Sequence, residues 1–156
     1  MVIITHRHSD HIAGISEIMG KTQAPAMAHV DDAFALPNPP EHVLDDGEII
    51  KVGDLVLTVI HTPGHTPGSV CILVGKYLFS GDTLFPGGPG RTDSAENFQQ
   101  ELGSIVNKLL KLPDQTAVFP GHGLDTTIGK TRQEYEVFQT RTHAQDVHGN
   151  VLWLGR

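Results

Sequence analysis

The sequence predicts an α/β fold built in layers, and three observations carry that expectation. Short runs of β-branched and apolar residues alternate with stretches of helical periodicity. The chain has 156 residues, enough for one domain with a sizeable core. Its make-up, 38% hydrophobic and 19% charged, is that of a globular chain. Residues 1–156 are therefore read as a single domain, with 143–156 an unassigned tail.

The elements follow in order. Residues 2–4 are a β-branched run, read as a buried strand that ends at Thr5. Ile12, Ile15, Ile18 and Met19 recur at helical spacing, and Gly20 is a natural stop. The stretch from His6 to His11 is then a strand-to-helix loop, with Asp10 near the helix start. Residues 26–30 predict a second strand, and Pro37, Pro39 and Pro40 mark a loop. Residues 48–52 turn at Gly53-Asp54 into a strand over 55–60. The loop 62–68 leads to a strand over 69–74, which turns at Gly75-Lys76 into 77–79. Residues 81–91 are rich in Gly and Pro. Phe98, Leu102, Ile105 and Leu109 fall on one helical stripe and belong to the core, with Asp93 or Ser94 as cap. Residues 117–119 form a strand that runs into Pro120-Gly121-His122-Gly123, and 130–142 form a last helix.

Composition narrows the function. The net charge is −7 with neutral His. An acidic chain repels phosphate backbones, which argues against nucleic acid and anionic membrane surfaces as partners. The single cysteine, Cys71, allows no internal disulfide and favours a reducing, cytoplasmic setting. The opening residues lack a basic region followed by a long apolar run, so no signal peptide is expected. No apolar run approaches about 18 residues, so no transmembrane helix is expected either.

The ten histidines stand out; average usage would give about a third as many. Their positions matter more than their number. His6, His8, Asp10 and His11 follow one strand, His65 another, Asp82 a third and His122 a fourth. Loops at strand ends on a rigid sheet are where sites are built. Zinc takes imidazole nitrogen and carboxylate oxygen at about 2.0–2.2 Å. Five His and two Asp suffice for two ions if one carboxylate bridges. The same donors suit iron or manganese. The other imidazoles get a plainer reading. His42, His143 and His148 are solvated, His29 either packs near the site or is a half-buried strand residue, and His61 is structural, with a role supporting the site as the alternative. Cys71 alternates with apolar neighbours and is a small buried hydrophobe. Gly87-Gly88-Pro89-Gly90 is a turn over the site mouth rather than a phosphate cradle, since no Lys-Ser/Thr follows it.

The strings Thr5-His6-Arg7-His8-Ser9-Asp10-His11, Thr62-Pro63-Gly64-His65, Ser80-Gly81-Asp82-Thr83 and Pro120-Gly121-His122-Gly123 resemble, in order, the metallo-β-lactamase superfamily. That resemblance implies an αββα sandwich, N-terminally truncated here because members carry further strands before the first motif. It implies His6, His8 and His65 around a first metal, and Asp10, His11 and His122 around a second. Asp82 bridges, and two Zn2+ ions are the expected cofactors. The loops are most similar to short glyoxalase II proteins, the hydroxyacylglutathione hydrolases. This implies metal-assisted hydrolysis of a small thioester or ester, with Asp10 orienting the nucleophile and Arg91 meeting the substrate. The C-terminal helical region that binds glutathione in long members is missing. A bare sheet edge invites a homodimer. Two other readings stand beside it. Gly90-Arg91-Thr92-Asp93 resembles a loop of the persulfide dioxygenases of the same superfamily, which hold one iron through two His and an Asp. The non-enzyme reading is a truncated relic that binds metal poorly.

Overall fold

A computed structural model describes residues 1–155. The chain opens with strand β1 (Val2–Ile3), helices α1 (Ser9–Ile12) and α2 (Ile15–Thr22), strand β2 (Ala26–His29), helix α3 (Val30–Ala33) and strand β3 (His42–Leu44). A meander follows: β4 (Ile49–Val52), β5 (Leu55–His61), β6 (Val70–Val74) and β7 (Tyr77–Gly81). The hairpin β8 (Leu84–Phe85) and β9 (Gly88–Pro89) leads to helix α4 (Ala95–Asn107). Strands β10 (Ala117–Pro120) and β11 (Thr126–Thr127) and helix α5 (Ile128–Gln139) complete the order.

Strands β1, β2 and β3 form one sheet, parallel throughout. The second sheet runs β11-β10-β7-β6-β5-β4, with β7 and β10 parallel and its other pairs antiparallel. Three apolar layers follow from the pleat, which sends alternate side chains to opposite faces. Ile15 of α2, with Ile12 and Met19, packs on Ile4, Ala26 and Ala28 outside the first sheet. Leu44, Ile3 and Met27 meet Ile50, Val59, Val70 and Ile72 between the sheets. Leu78, Val118 and Cys71 turn the other way, onto Phe98 and Ile105 of α4 and Ile128 and Phe138 of α5. The result is the expected αββα sandwich.

The small sheet faces β4, β5 and β6. On the same face, Tyr77 and Phe79 of β7 and Phe119 of β10 remain uncovered, at 43%, 47% and 36% exposure. β1 is an edge strand beside them.

Several elements differ from expectation. The first helix is two: α1 breaks at Gly14, and α2 runs through Gly20 to stop at Gln23, which takes the left-handed conformation at φ 53°. Ile18 faces solvent rather than the core. Residue Val30 leaves its strand to start α3, and β3 was not foreseen. Of the two caps considered for α4, Ser94 serves, its hydroxyl accepting the Asn97 N–H at 3.2 Å. The last helix lies two to three residues earlier than expected because Thr127 caps it, accepting from the Lys130 N–H. The tail is docked. Trp153 is wholly buried against Tyr135 and Phe138, and its backbone N–H donates to the Gly87 carbonyl. Arg156 lies outside the described residues. Among those described, no helix is long and apolar enough to cross a membrane.

Candidate metal centre

The predicted residues converge. β1 delivers His6 and His8, α1 carries Asp10 and His11, and the turn between β5 and β6 carries His65. Asp82 follows β7, and His122 follows β10. Ligand atoms of His6, His8 and His65 lie within 4.8 Å of one another, as do those of Asp10, His11 and His122. Asp82 stands between the groups. Its Oδ1 is 3.4 Å from His11 Nε2. Its Oδ2 is 3.6 Å from His122 Nε2, 3.8 Å from His65 Nε2 and 3.9 Å from His6 Nε2. Asp10 Oδ2 is 3.0 Å from His122 Nε2, and both side chains are more than half exposed at the mouth.

The surroundings prepare these groups for a cation. Burial, reinforced by the imidazoles of His11, His65, His8 and His122, holds His6 down to about 2. Burial likewise lowers His65, against the opposing effect of its bond to Arg91. Neutral imidazole is the form that ligates metal. His65 Nδ1–H donates to the Arg91 carbonyl at 2.8 Å, which aims Nε2 at Asp82. His6 Nε2, His65 Nε2 and Asp82 Oδ1 are buried and have no hydrogen-bond partner in the protein. Buried polar atoms of that kind are costly unless something pairs them. Imidazole nitrogens and carboxylate oxygens gathered in this way suit divalent metal ions.

Close backbone approaches fix the cradle. A Cβ on Gly121 would strike the Asp82 carboxylate and the His11 ring, so the loop before His122 accepts only glycine without displacement.

Two contributors escaped the sequence reading. Asp32, on α3, is buried and ties the histidine loops together. It accepts from the Arg7 N–H at 2.9 Å, Arg7 Nη1 at 2.8 Å, Thr66 Oγ1 at 2.6 Å and the Gly68 N–H at 3.1 Å. Its only sequence signal was a carboxylate early in a short polar stretch, which reads as solvated. Glu101 of α4 is fully buried and unpartnered behind the centre. Burial pushes it up to about 9, opposed by the nearby Gly90 N–H and reinforced by the Asp82 charge, which favours the protonated form at neutral pH. Helical periodicity gave no hint of this, because Glu101 sits beside the core stripe.

A cleft of about 350 Å³ opens beside the histidines. Phe85, Pro86, Pro89, Val151 and Leu152 wall it, with Arg91 and Asn150 at polar positions. Gly88, Pro89 and Gly90 line the cleft, but they are buried and Gly88–Pro89 is strand β9, so the expected turn over the mouth is confined to Pro86-Gly87. The tail's contribution was not foreseen. The Arg91 guanidinium is exposed and paired with Asp93 at 2.7 Å, so its carbonyl, rather than its charge, touches the centre. Among the bland histidines, His42 pairs with Glu48 and His148 bonds the Asp146 carbonyl. His143 departs from a solvated reading, for it stacks on Phe138 at 3.7 Å and bonds the Phe138 carbonyl.

Comparison with known proteins places this geometry. A family model described as the metallo-beta-lactamase superfamily matches residues 2–122. A probable metallo-hydrolase of Bacillus subtilis, YqgX, is 35% identical over 88% of this chain and 74% of its own. A hydroxyacylglutathione hydrolase of Methylobacterium nodulans is 37% identical over 78% of this chain, which spans 47% of that enzyme. Among solved structures, the B3 metallo-beta-lactamase BLEG-1 superposes with a TM-score of 0.78 at 34% identity, covering 84% of this chain and 73% of its own. ETHE1 from Myxococcus xanthus gives 0.75 at 35% identity, over 85% and 59%. TTHA1623, solved in a di-iron-bound form, gives 0.68 at 32% identity, over 84% and 73%.

Proposed function

Since the chain belongs to the metallo-β-lactamase superfamily, we propose that it is a binuclear metal-dependent hydrolase acting on a thioester or ester. One observation carries the reading: a single carboxylate, Asp82, lies between two complete ligand triads at the floor of a cleft. Divalent ions there would supply Lewis acidity and a water acidic enough to lose its proton near neutral pH. The protein's own groups do the rest. Asp10 orients the attacking water from the mouth, its carboxylate steadied by His122. Phe85, Pro86, Pro89, Val151 and Leu152 take the acyl group and exclude bulk water from the reacting carbonyl. Arg91, at the rim, meets an anionic group on the substrate once it releases Asp93. Zinc is our choice of ion because nitrogen and carboxylate donors surround both positions. The di-iron form of TTHA1623 supports iron as the alternative.

A second reading, a mononuclear iron persulfide dioxygenase, rests on the segment Gly90-Arg91-Thr92-Asp93 after Asp82. We assign a reducing, cytoplasmic setting on the strength of Cys71, buried and with its thiol pushed up to about 11 by burial. The uncovered Tyr77, Phe79 and Phe119 beside the β1 edge support self-association on that side.

The test is metal analysis of the purified chain, followed by a screen of acyl thioesters and esters. Two zinc per chain with hydrolysis, both reduced in Asp82→Asn, is the expected result. One iron per chain with oxygen-dependent persulfide turnover favours the second reading. A folded chain that refuses added zinc overturns both.

A further inference from the structure

We propose that Asn150, brought in by the docked tail, is a specificity residue that joins Arg91 in anchoring a carboxylate on the substrate. The inference rests on the hydrolase reading. It narrows the substrate to a thioester or ester that bears a free carboxylate besides the reacting carbonyl. The tail reaches the cleft through two pins. At the first, Thr92 and Gly149 form an isolated antiparallel bridge. The Thr92 N–H donates to the Gly149 carbonyl at 3.3 Å, and the Gly149 N–H donates to the Thr92 carbonyl at 3.0 Å. At the second, the Trp153 backbone N–H donates to the Gly87 carbonyl at 2.8 Å. Burial alternates along the span between them. Val151 and Trp153 enter the core, whereas Asn150 and Leu152 are exposed.

Antiparallel pairing sets the neighbours. Residues that flank such a pair on opposite strands face each other. The bridge therefore brings Asn150 opposite Arg91, and both line the cleft. Arg91 is itself fixed, since its carbonyl accepts from His65 Nδ1–H at 2.8 Å. The residue that aims one imidazole at the centre thus also carries the cation at the rim. Whatever the pair grips is held in register with the reacting carbonyl.

The donor types select the ligand. A guanidinium offers only N–H groups, and a carboxamide adds two more from a neutral neighbour. A planar carboxylate accepts from both at once. Arg91 Nη1 now bonds Asp93 at 2.7 Å, but both side chains are more than 60% exposed, and exposed ion pairs are weak. A substrate carboxylate replaces Asp93 when its own chain also buries apolar surface on Phe85, Pro86 and Leu152. Asp93 stays close by and opposes a second negative charge, so a carboxylate suits the rim better than a doubly charged phosphate.

The experiment titrates the isotope-labelled, metal-free full chain and follows the Asn150 carboxamide and Arg91 Nε–H signals by NMR. Two pairs of probes are used, all of them amides that resist hydrolysis. N-butylsuccinamate and its neutral twin N-butylsuccinamide test a carboxylate on the acyl side. N-butanoyl-β-alanine and N-butanoyl-β-alaninamide test one on the leaving-group side. We expect at least one carboxylate probe to shift both signals and to bind at least about tenfold tighter than its twin. The pair that shows the preference tells which side of the scissile bond carries the charge. Asn150→Ala should cut the preference at least about threefold. Asn150→Asp, which keeps the shape and adds a negative charge, should abolish it. Asn150 is exposed, so both variants should fold. Equal binding of probe and twin in both pairs, unmoved Asn150 and Arg91 signals, or an undiminished preference in Asn150→Asp overturns the proposal. A chain that hydrolyses no ester or thioester refutes the hydrolase reading instead, and the titration still decides whether the anchor exists.

Discussion

Replacing Asp32 with alanine is the sharpest test of how the ligand loops are held. The carboxylate accepts from two backbone amides, Arg7 and Gly68, from the Thr66 hydroxyl and from Arg7 Nη1. After truncation Thr66 still has the Ser69 hydroxyl at 2.8 Å. The two amides have no such substitute. A buried donor left unpaired costs about 1–3 kcal/mol, so the pair costs about 2–6 kcal/mol. The Arg7 ion pair is about a third exposed on the arginine side and adds less than about 1 kcal/mol. The total is about 2–7 kcal/mol, equivalent to a melting temperature lowered by roughly 5–30 °C for a chain of this size. Urea unfolding of the metal-free chain is the appropriate assay, since bound metal would add its own stabilisation. Metal affinity should fall about 10- to 100-fold, because the His6–His8 stretch and the His65 turn lose their common anchor. Asp32→Asn, which keeps one acceptor oxygen, should recover part of both losses. A variant within about 1 kcal/mol of wild type with unaltered metal affinity would refute the role assigned to Asp32.

Three further expectations follow from the packing. Glu101 is protonated in the folded state up to about pH 9 but ionises above about 4.5 when unfolded. Its burial therefore weakens the fold progressively between those values, by up to about 1.4 kcal/mol per pH unit. Above about pH 7.5, where the buried imidazoles of His6, His65 and His29 are neutral in both states, urea midpoints of the metal-free chain should fall toward about pH 8.5, and Glu101→Gln should flatten that slope; parallel profiles would contradict it. Gly121→Ala places a methyl group against Asp82 and His11, so metal affinity should drop at least about tenfold while circular dichroism stays unchanged. Phe79→Ser with Phe119→Ser should shift sedimentation toward monomer if the uncovered aromatic face carries self-association, and unaltered sedimentation would count against that interface.

The candidate metal centre was legible because its residues obey short-range rules: a polar motif directly after a β-branched strand, and glycines where loops crowd a site. The stripe Phe98, Leu102, Ile105 and Leu109 was legible for the same reason, one period within one element. What escaped depends on partners far along the chain. Asp32 acquires its role only from Arg7, Thr66 and Gly68, the last two more than thirty residues away. The segment His42–Leu44 is a strand because β2 offers it an edge, with only Leu44 buried. α2 ends at Gln23 rather than Gly20 because the Gln23 N–H still closes on the Met19 carbonyl. His29 and His61 looked like unrelated strand residues until the fold stacked them.

The docked tail has an optical consequence. Trp153 is the single tryptophan of the sequence, and it is seated in the core immediately after Asn150, Val151 and Leu152, which wall the cleft. Any excursion that widens the cleft by lifting this segment must also draw the indole toward water. The intrinsic emission of the unlabelled protein should then shift to the red as the wall departs and to the blue as it returns. Cleft breathing would be readable in a stopped-flow cuvette without a reporter group.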